Sequence, residues 1–307
     1  MNKPNGGTPL GGVLYTSSAY VLWGFLPLYW KALGSVPAFE ILAHRIWWSF
    51  VFTMAIIFFQ KQKLHLFVYR LKFFYHYKKE FLFILIASLA ISANWVIFIW
   101  AVNHGKVIEA SLGMYMIPLI SILLGVILLR DKCGLGQSIS FLIALLGVAL
   151  LVVRYGQIPW VALSLALSSG VYSYAKKCIR LDALVAMGYE TLIGTPAALV
   201  YLLMLQIKGT ASFGTDAYPI AILLIGAGIV TALPLIWFAE GVKRLSLSTV
   251  GVIQYITPSI AFLIGWLIFK ESISLVQWFS LILLWVSITI YLFSSSHADA
   301  KEKRLFQ

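Results

Sequence analysis

Ten apolar runs, each long enough to cross a lipid bilayer, follow one another along the 307-residue chain. A membrane-spanning helix needs about 20 apolar residues, whereas a barrel strand needs about 9 to 11 and alternates with polar residues. Because these runs are longer and continuous, they predict ten transmembrane helices and an all-α membrane protein. The predicted spans are 10–30, 39–60, 81–102, 108–129, 136–153, 158–175, 184–207, 218–239, 247–269 and 275–295.

Composition and charge fit the same class. Hydrophobic residues make up 61% of the chain and charged residues 11%, against roughly 45–50% and about 25% in soluble domains. The net charge of +12 would suggest nucleic-acid binding in a soluble protein. Here seventeen of the 23 Lys and Arg flank the spans on the side of the N-terminus, five lie on the other side, and only Arg45 lies inside a span. The positive-inside rule therefore predicts cytoplasmic termini, and no nucleic-acid partner is needed.

One connection is long, from Lys61 to Glu80, and interleaves basic residues with Phe, Tyr and Leu. Such a segment can stack on and neutralise a nucleic acid. Beside a membrane span, however, it is more typical of an amphipathic helix that lies on an anionic lipid surface. We therefore predict membrane lipids as the partner of this segment.

An internal repeat divides the chain, because a shift of 140 residues aligns 102–137 with 242–277 without a gap. The matched residues include Tyr115 with Tyr255, Pro118 with Pro258, Gln137 with Gln277, and Arg130-Asp131 with Lys270-Glu271. A weaker match, at a shift of 146 residues, aligns Gly24 with Gly170. The predicted halves are 1–154 and 155–307, with five spans each. Because five is odd, equivalent helices cross in opposite directions, as in the inverted repeats of many secondary transporters.

Inverted repeats place the substrate site near the middle of the membrane, where the halves meet. A proline within a membrane helix frees a carbonyl that can face a cavity, although it can equally bend a helix for packing. Because Pro118 and Pro258 match in the repeat, we predict that they break spans 4 and 9 beside a central pocket. Further predicted pocket residues are Asn94, Trp95, Ser111, Tyr115, Tyr172, Gln254 and Tyr255.

Charged residues inside the spans are the other candidates, because each costs about 2.5–3.5 kcal/mol on insertion scales. We predict Arg45 and His44 near the external access path and Glu190 near the cytoplasmic one, about 12 Å apart in a core about 30 Å thick. Arg45 could instead form a structural ion pair with Glu40 or Glu109, each of which begins a span on the external side. Glu109 remains a candidate pathway residue, and His44 could relay protons or serve only in packing.

The motifs of intramembrane proteases and of ATP-driven pumps are absent from the sequence. There is no H-E-x-x-H, G-x-S-x-G or G-x-x-x-x-G-K-[ST], and all four Asp fall in predicted loops or the tail. We therefore predict no catalytic residue, no metal and no cofactor. The remaining function is secondary transport of a small molecule, driven by protons or by the solute's own gradient. A passive channel and a non-transporting scaffold are the alternatives, and the oligomeric state is open.

Several motifs carry a resemblance to a known family. They are N-W-x-x-F-I-W-A-V-N (94–103), E-A-S-L-G-x-x-x-x-P-L (109–119), G-I-V-T-x-x-P-L (228–235), R-L-S-L-S-T-x-G-x-x-Q-Y-I-x-P (244–258), W-G-x-x-P (23–27) and E-I-L-x-H-R (40–45). The sequence resembles the RarD-type permeases of the EamA branch of the drug/metabolite transporter superfamily over nearly its whole length. The resemblance implies two five-helix EamA repeats, the bacterial inner membrane, and export or exchange of small metabolites or drug-like molecules.

Overall fold

A computed structural model describes residues 8–104, 106–131, 133–214, 218–270 and 274–305, and every regular element within these ranges is helical. The helices are α1 (Pro9–Ala32), α2 (Ala38–Phe59), α3 (Lys61–Lys72), α4 (Lys78–Asn103), α5 (Val107–Leu128), α6 (Leu135–Tyr155), α7 (Trp160–Cys178), α8 (Ala183–Ile207), α9 (Tyr218–Arg244), α10 (Leu247–Gln254), α11 (Ile256–Leu267) and α12 (Leu275–Leu305). A turn of 3-10 helix, Phe74–Tyr77, joins α3 to α4. Glu271 of the predicted repeat lies outside the described residues.

Eight helical segments within the described ranges are long and apolar enough to cross a membrane, with α10 and α11 counted as one. The all-helical membrane class is therefore confirmed. The helices α1 and α7 have 24 and 19 residues but are not among the eight. The full count of ten spans therefore stays a prediction.

The helix α3 occupies the basic segment for which the sequence predicts an amphipathic helix. Phe67 is its buried residue, and the Phe67 ring stacks on that of Tyr189 with 4.3 Å between centroids. Val68, Tyr69 and Leu71 are exposed. One side of α3 therefore docks on α8 and leaves apolar side chains uncovered, and its contact with lipid stays a prediction.

The two prolines matched in the repeat affect their helices differently. Pro258 has no N–H to donate to the carbonyl of Gln254, and Gln254 is the last residue of α10. Pro118, in contrast, lies inside α5, which runs unbroken from Val107 to Leu128. The prediction that Pro118 breaks its span is therefore wrong, because the loss of one hydrogen bond to Met114 does not end this helix.

Two further pairs of matched positions have the same local geometry. Ahead of α6 the Gly134 N–H donates to Gln137 Oε1 at 2.9 Å, and ahead of α12 the Ser274 N–H donates to Gln277 Oε1 at 2.8 Å. After α5 and α11, Arg130 and Lys270 have φ angles of 56° and 53°. A non-glycine residue in this left-handed region costs roughly 1–2 kcal/mol, so the chain makes the same unfavourable turn twice.

The helices of the two halves interleave. The main interfaces join α1 to α9 and α11, α2 to α8 and α9, α4 and α5 to α7, α5 to α10, and α6 to α12. Each of these interfaces joins a helix before residue 155 to one after it. The centre of the molecule is therefore built from both halves.

Two glycines allow close approaches at two of these interfaces. A Cβ atom on Gly24 of α1 would lie 2.7 Å from Cβ of Ile260 on α11. A Cβ atom on Gly170 of α7 would lie 2.5 Å from Cγ2 of Ile120 on α5. Both distances are shorter than van der Waals contact allows. In the repeat, Gly24 corresponds to Gly170 and Ile260 corresponds to Ile120, so the two contacts are equivalent.

Candidate functional site

A cavity of about 450 Å³ lies between helices of the two halves. The predicted pathway residues that line it are Arg45, Asn94, Trp95, Pro118, Tyr172, Gln254 and Pro258. Much of the remaining wall is aromatic and comes from Tyr20, Trp23, Trp30, Phe98 and Phe238. Among the described residues that line the cavity, Arg45 is the only charged one. The cavity is thus an apolar chamber that contains a single cation.

The Arg45 guanidinium lies against two indole rings. Its Cζ atom is 4.7 Å from the ring centre of Trp30 and 4.5 Å from that of Trp95. Its Nε donates a hydrogen bond of 3.0 Å to Thr231 Oγ1 on α9. Cation–π contacts of this kind contribute about 0.5–2 kcal/mol each. Arg45 is therefore held by residues from α1, α4 and α9, but by none that carries a negative charge.

Neither predicted carboxylate partner of Arg45 pairs with it, so the ion-pair alternative is wrong. Glu40 instead accepts hydrogen bonds from the backbone and side chain of Ser212 at 2.7 and 3.0 Å. Glu109 accepts bonds from Lys106 and Tyr155 and from the backbone of Val161. Both carboxylates fasten loops and helix ends, and neither lines the cavity.

His44 points away from the cavity although it adjoins Arg45 in sequence. Its Nδ1 accepts a hydrogen bond of 3.2 Å from Trp48 Nε1, and its ring lies 5.0 Å from that of Phe213. Its Nε2 is 4.0 Å from Glu40. Neighbouring residues on a helix point about 100° apart, because each turn holds 3.6 residues. The two side chains predicted as one cluster therefore face different surroundings.

The repeat prolines lie at the cavity together with the residues four positions before them. Pro118 has no N–H to donate to the carbonyl of Met114, and Pro258 has none for that of Gln254. All four residues line the cavity. The shift of 140 residues also relates Met114 to Gln254. Each half therefore brings to the wall one carbonyl that lacks its usual helical donor.

Three other predicted pocket residues lie elsewhere. Tyr255 is 1% exposed and packs with Leu119, Ala144 and other residues of α5, α6 and α12. Tyr115 packs against the same cluster, and Ser111 is exposed. They occupy faces of α5 and of the α10–α11 junction that do not face the cavity.

Asn94 and Tyr172 connect the cavity wall to its surroundings. Asn94 Nδ2 lies 2.9–3.0 Å from the carbonyl of Leu165 and from the hydroxyls of Ser168 and Ser169, so it ties α4 to α7. The Tyr172 ring stacks on Phe238 at 5.7 Å, and Lys176 Nζ lies 5.7 Å from the same ring. Tyr172 thus separates the cavity from a second charged site.

That second site is a buried ion pair. Lys176 Nζ donates to Glu190 Oε1 at 2.7 Å, and the two side chains are only 1% and 4% exposed. The sequence prediction counts Lys176 among the loop charges, which is wrong because the residue lies inside the last turn of α7. Glu190 is therefore neutralised by a neighbouring helix rather than exposed to an access path in this structure.

A small void separates the ion pair from the cavity. Its volume is about 20 Å³, and Ser49, Ser88, Ser92 and Glu190 contribute polar groups to its lining. Trp95 borders both spaces. The void is about as large as one water molecule needs, which is about 10–15 Å³. Glu190 is therefore separated from the cavity by one small void.

Three side chains that contact Arg45 or Glu190 are missing from the sequence prediction. Trp30 resembles an ordinary interfacial tryptophan, and its contact with Arg45 depends on the packing of both α1 and α2 against α9. Thr231 lies in the sequence motif at 228–235, so the motif pointed to this residue. The sequence did not predict, however, that Thr231 accepts a hydrogen bond from Arg45. Lys176 follows the apolar run by one residue, and the rule that intramembrane charges have partners could have assigned it to Glu190.

Known proteins resemble this chain over nearly its whole length. The pattern of the EamA-like transporter family matches residues 10–153 and 157–293. "Uncharacterized transporter YojE" of Bacillus subtilis is 44% identical over 92% of this chain and 94% of its own. "Protein RarD" of Escherichia coli is 33% identical over 95% and 97%. A solved structure described as "Crystal structure of protein" superposes with a TM-score of 0.68 at 19% identity, covering 92% and 98%, which shows the fold alone.

Proposed function

The chain belongs to the EamA-like transporter family and is a non-enzymatic membrane transporter, and from this premise we propose that it is a secondary active carrier. It exports a small organic solute across the bacterial inner membrane by alternating access. The observation that carries the proposal is the cavity, whose walls come from both halves of the chain. A site between two halves is the arrangement that lets a rocking motion open it to one side at a time.

The proposed architecture is ten spans in two inverted repeats, residues 1–154 and 155–307. In it α1 and α7 are spans, α10 and α11 form one span, and α3 lies at the surface. The helix interfaces support this pairing. In the repeat α1 corresponds to α7, α9 to α4, and α11 to α5. The interfaces of α1 with α9 and α11 therefore correspond to those of α7 with α4 and α5, and all four are present.

Local geometry supports the same repeat. The contact of Gly24 with Ile260 is matched by that of Gly170 with Ile120. The left-handed turns and the glutamine caps described above are matched as well. The left-handed turns fall on two different residue types, Arg130 and Lys270, so this match in backbone conformation does not follow from residue identity.

The proposed orientation has both termini in the cytoplasm and can be tested on Cys133, which is exposed. An impermeant maleimide should label Cys133 in inside-out vesicles and leave it unlabelled in intact cells. Partial burial raises the pKa of this thiol, and the nearby Asp131 carboxylate raises it further, so the reaction should be run on the alkaline side of neutrality. Labelling from outside would reverse the orientation. A Cys133→Ser variant controls for Cys178.

The proposed cycle alternates closure between the two ends of the cavity. The inner end is sealed in this structure, because Tyr20, Tyr172 and Phe238 are at most 5% exposed and the Lys176–Glu190 pair lies beyond them. The other end is less enclosed, since Trp30 is half-buried and Phe98 is 36% exposed. In the proposed orientation this is the state that faces outward. Opening inward then separates helices near the ion pair.

Solute flux in reconstituted vesicles tests the carrier directly. Metabolites that accumulate in cells lacking the protein identify a candidate solute, which is then loaded into vesicles. A carrier gives saturable flux and counterflow, in which unlabelled solute on one side drives labelled solute uphill. A channel gives flux without saturation or counterflow. A scaffold gives no flux above protein-free vesicles, and either result would reject the proposal.

A further inference from the structure

Arg45 is a cation in the membrane part of the molecule that has no anionic partner among the described residues. Its one hydrogen bond uses Nε, and its two terminal amino groups make none in the described part of the chain. An isolated charge in hydrocarbon is unfavourable, and intramembrane charges usually have partners. The partner of Arg45 is therefore to be sought in the space that it faces, which is the cavity.

The cavity fits an anionic ligand. No acidic residue lines it within the described ranges, so a ligand cation would meet the Arg45 charge without any compensating carboxylate. A guanidinium presents its N–H groups in a planar fork that matches the two oxygens of a carboxylate. The indole rings of Trp30 and Trp95 hold this group in place before any ligand arrives.

The rest of the wall selects an apolar body. Aromatic and aliphatic side chains form most of the lining. The volume of about 450 Å³ lies within the range of about 300–1,000 Å³ that small-molecule pockets occupy. Inorganic anions would leave these rings without a partner. A ligand with an aromatic or branched hydrocarbon body fills the chamber and excludes water from the ion pair with Arg45.

Tyr20 and Gln254 close the far end of the cavity. Tyr20 precedes Trp30 by ten residues on α1, which corresponds to about 15 Å at 1.5 Å per residue. The Tyr20 hydroxyl and Gln254 Oε1 are buried there, and both residues are 5% exposed. Within the described lining, Arg45 is therefore the one charged group that a ligand meets.

Resting on the proposed carrier function, we propose that the transported solute is a small organic carboxylate. Its carboxylate pairs with Arg45, and its aromatic or branched apolar body packs on the apolar wall of the cavity.

Binding of three matched probes to the purified full-length protein in detergent tests this. The probes are 3-(4-hydroxyphenyl)propanoate, its primary amide and tyramine, which share a ring and differ in charge. Thermal stabilisation and quenching of tryptophan fluorescence report binding, the latter because Trp30 and Trp95 adjoin the guanidinium. We expect the carboxylate to bind at least about tenfold more tightly than the amide, because only the carboxylate can accept a charge-assisted bidentate pair. We expect no binding of tyramine.

Two substitutions and one control separate the role of Arg45 from general damage. Arg45→Lys should weaken carboxylate binding by about tenfold, because an ammonium lacks the fork, and Arg45→Gln should make the carboxylate and the amide bind equally. Lys31→Gln should change nothing, because Lys31 is a cation near the same end of α1 that contacts Phe269 and does not line the cavity. A variant is compared with the wild-type protein only if the two preparations are equally monodisperse and have similar melting temperatures.

Three results would overturn the inference. The first is that the amide or tyramine binds the wild-type protein as tightly as the carboxylate does. The second is that Arg45→Gln keeps the preference for the carboxylate, and the third is that inorganic phosphate or phosphatidylglycerol displaces the carboxylate at equal concentration. A protein that performs counterflow of a cell extract but binds no carboxylate refutes this inference and leaves the carrier proposal standing. A protein that binds the carboxylate but shows no saturable flux refutes the carrier proposal, and only a carboxylate-binding site at Arg45 then remains of this inference.

Discussion

Arg45 on α2 and Glu190 on α8 are both ionisable groups within membrane-spanning helices, but among the described residues only Glu190 has a partner of opposite charge. The Glu190–Lys176 pair is almost fully buried at 2.7 Å. Arg45 contacts two indole rings and one hydroxyl and lines the cavity. Within the described part of the chain, one charge is thus neutralised, whereas the other lies at the cavity without a counter-ion.

The two halves of the chain resemble each other more in local packing than in these two charges. The same glycine–isoleucine contact, the same glutamine cap and the same left-handed turn occur in both halves, whereas Arg45 and Glu190 each occur once. We expect the repeated contacts to serve stability and the two charges to have separate roles. Differences in the free energy of unfolding can test this division.

Breaking the buried ion pair should have the largest effect. Lys176→Met leaves the Glu190 carboxylate buried without its partner, which should lower the free energy of unfolding by about 3–5 kcal/mol. The double variant Lys176→Met/Glu190→Leu should recover most of this loss, because no uncompensated charge remains. Equilibrium unfolding in detergent, arranged as a double-mutant cycle, measures both. A loss below about 1 kcal/mol for the single variant would contradict a closed, dry pair.

The matched glycine contacts should give intermediate effects. Gly170→Ala and Gly24→Ala each force a methyl group into a neighbouring isoleucine, which should cost about 1–3 kcal/mol. Unfolding free energies of the two variants, measured side by side, test whether the contacts are equivalent. If one substitution were neutral, the scaffold would be less symmetric than its geometry indicates.

The rescue of these variants should differ between the halves. Ile120→Ala removes the Cγ2 atom that a methyl at position 170 would meet, so its coupling to Gly170→Ala should be favourable by about 1 kcal/mol or more. Ile260→Ala keeps the Cβ atom that a methyl at position 24 would meet at 2.7 Å. The coupling there should be close to zero, and equal coupling in both cycles would contradict this difference between the two contacts.

Replacing Arg45 should change stability little. Arg45→Gln removes a charge that costs about 2.5–3.5 kcal/mol in hydrocarbon and also removes two cation–π contacts of about 0.5–2 kcal/mol each. These effects nearly cancel, so the free energy of unfolding should change by less than about 1 kcal/mol. A loss as large as that of Lys176→Met would make Arg45 a structural residue and end the contrast with Glu190.

A surface ion pair supplies the smallest effect and a baseline. Lys63 Nζ lies 3.3 Å from Asp182, and both side chains are about one-third exposed. Lys63→Ala should therefore lower the free energy of unfolding by less than about 0.5 kcal/mol. A larger change would show that this pair contributes to the docking of α3 on α8. The free energies measured for the Lys176–Glu190 variants would then have to be corrected for any change in that docking.

Much of the helical framework can be predicted from hydropathy alone. The predicted spans 39–60 and 108–129 differ by one residue at each end from Ala38–Phe59 and Val107–Leu128. Hydropathy succeeds because the bilayer imposes one length on every crossing. It fails at Lys176, where a charge sits inside a helix because a partner on another helix neutralises it.

The site is predicted less well because sequence does not fix the rotation of each helix. Gln254 lines the cavity, but the next residue, Tyr255, packs in a cluster with residues of α5, α6 and α12. His44 and Arg45 diverge in the same way. The repeat helped with Pro118 and Pro258, since matched positions point to a shared interface. The two indole rings on Arg45 come from helices that only the tertiary packing brings together.

The two helices that fall short of the hydropathy needed for a span, α1 and α7, also carry cavity residues on several turns. A nascent helix enters the bilayer according to its own apolarity, before distant partners have been made. A chain that lines a polar-containing chamber therefore inserts these two segments less readily than their neighbours. In the proposed ten-span architecture, α7 follows its packing partners α4 and α5 in the chain, whereas α1 precedes its partners α9 and α11. Entry of α1 into the lipid would then depend on helices synthesised after it, which links the cavity to the order of biogenesis.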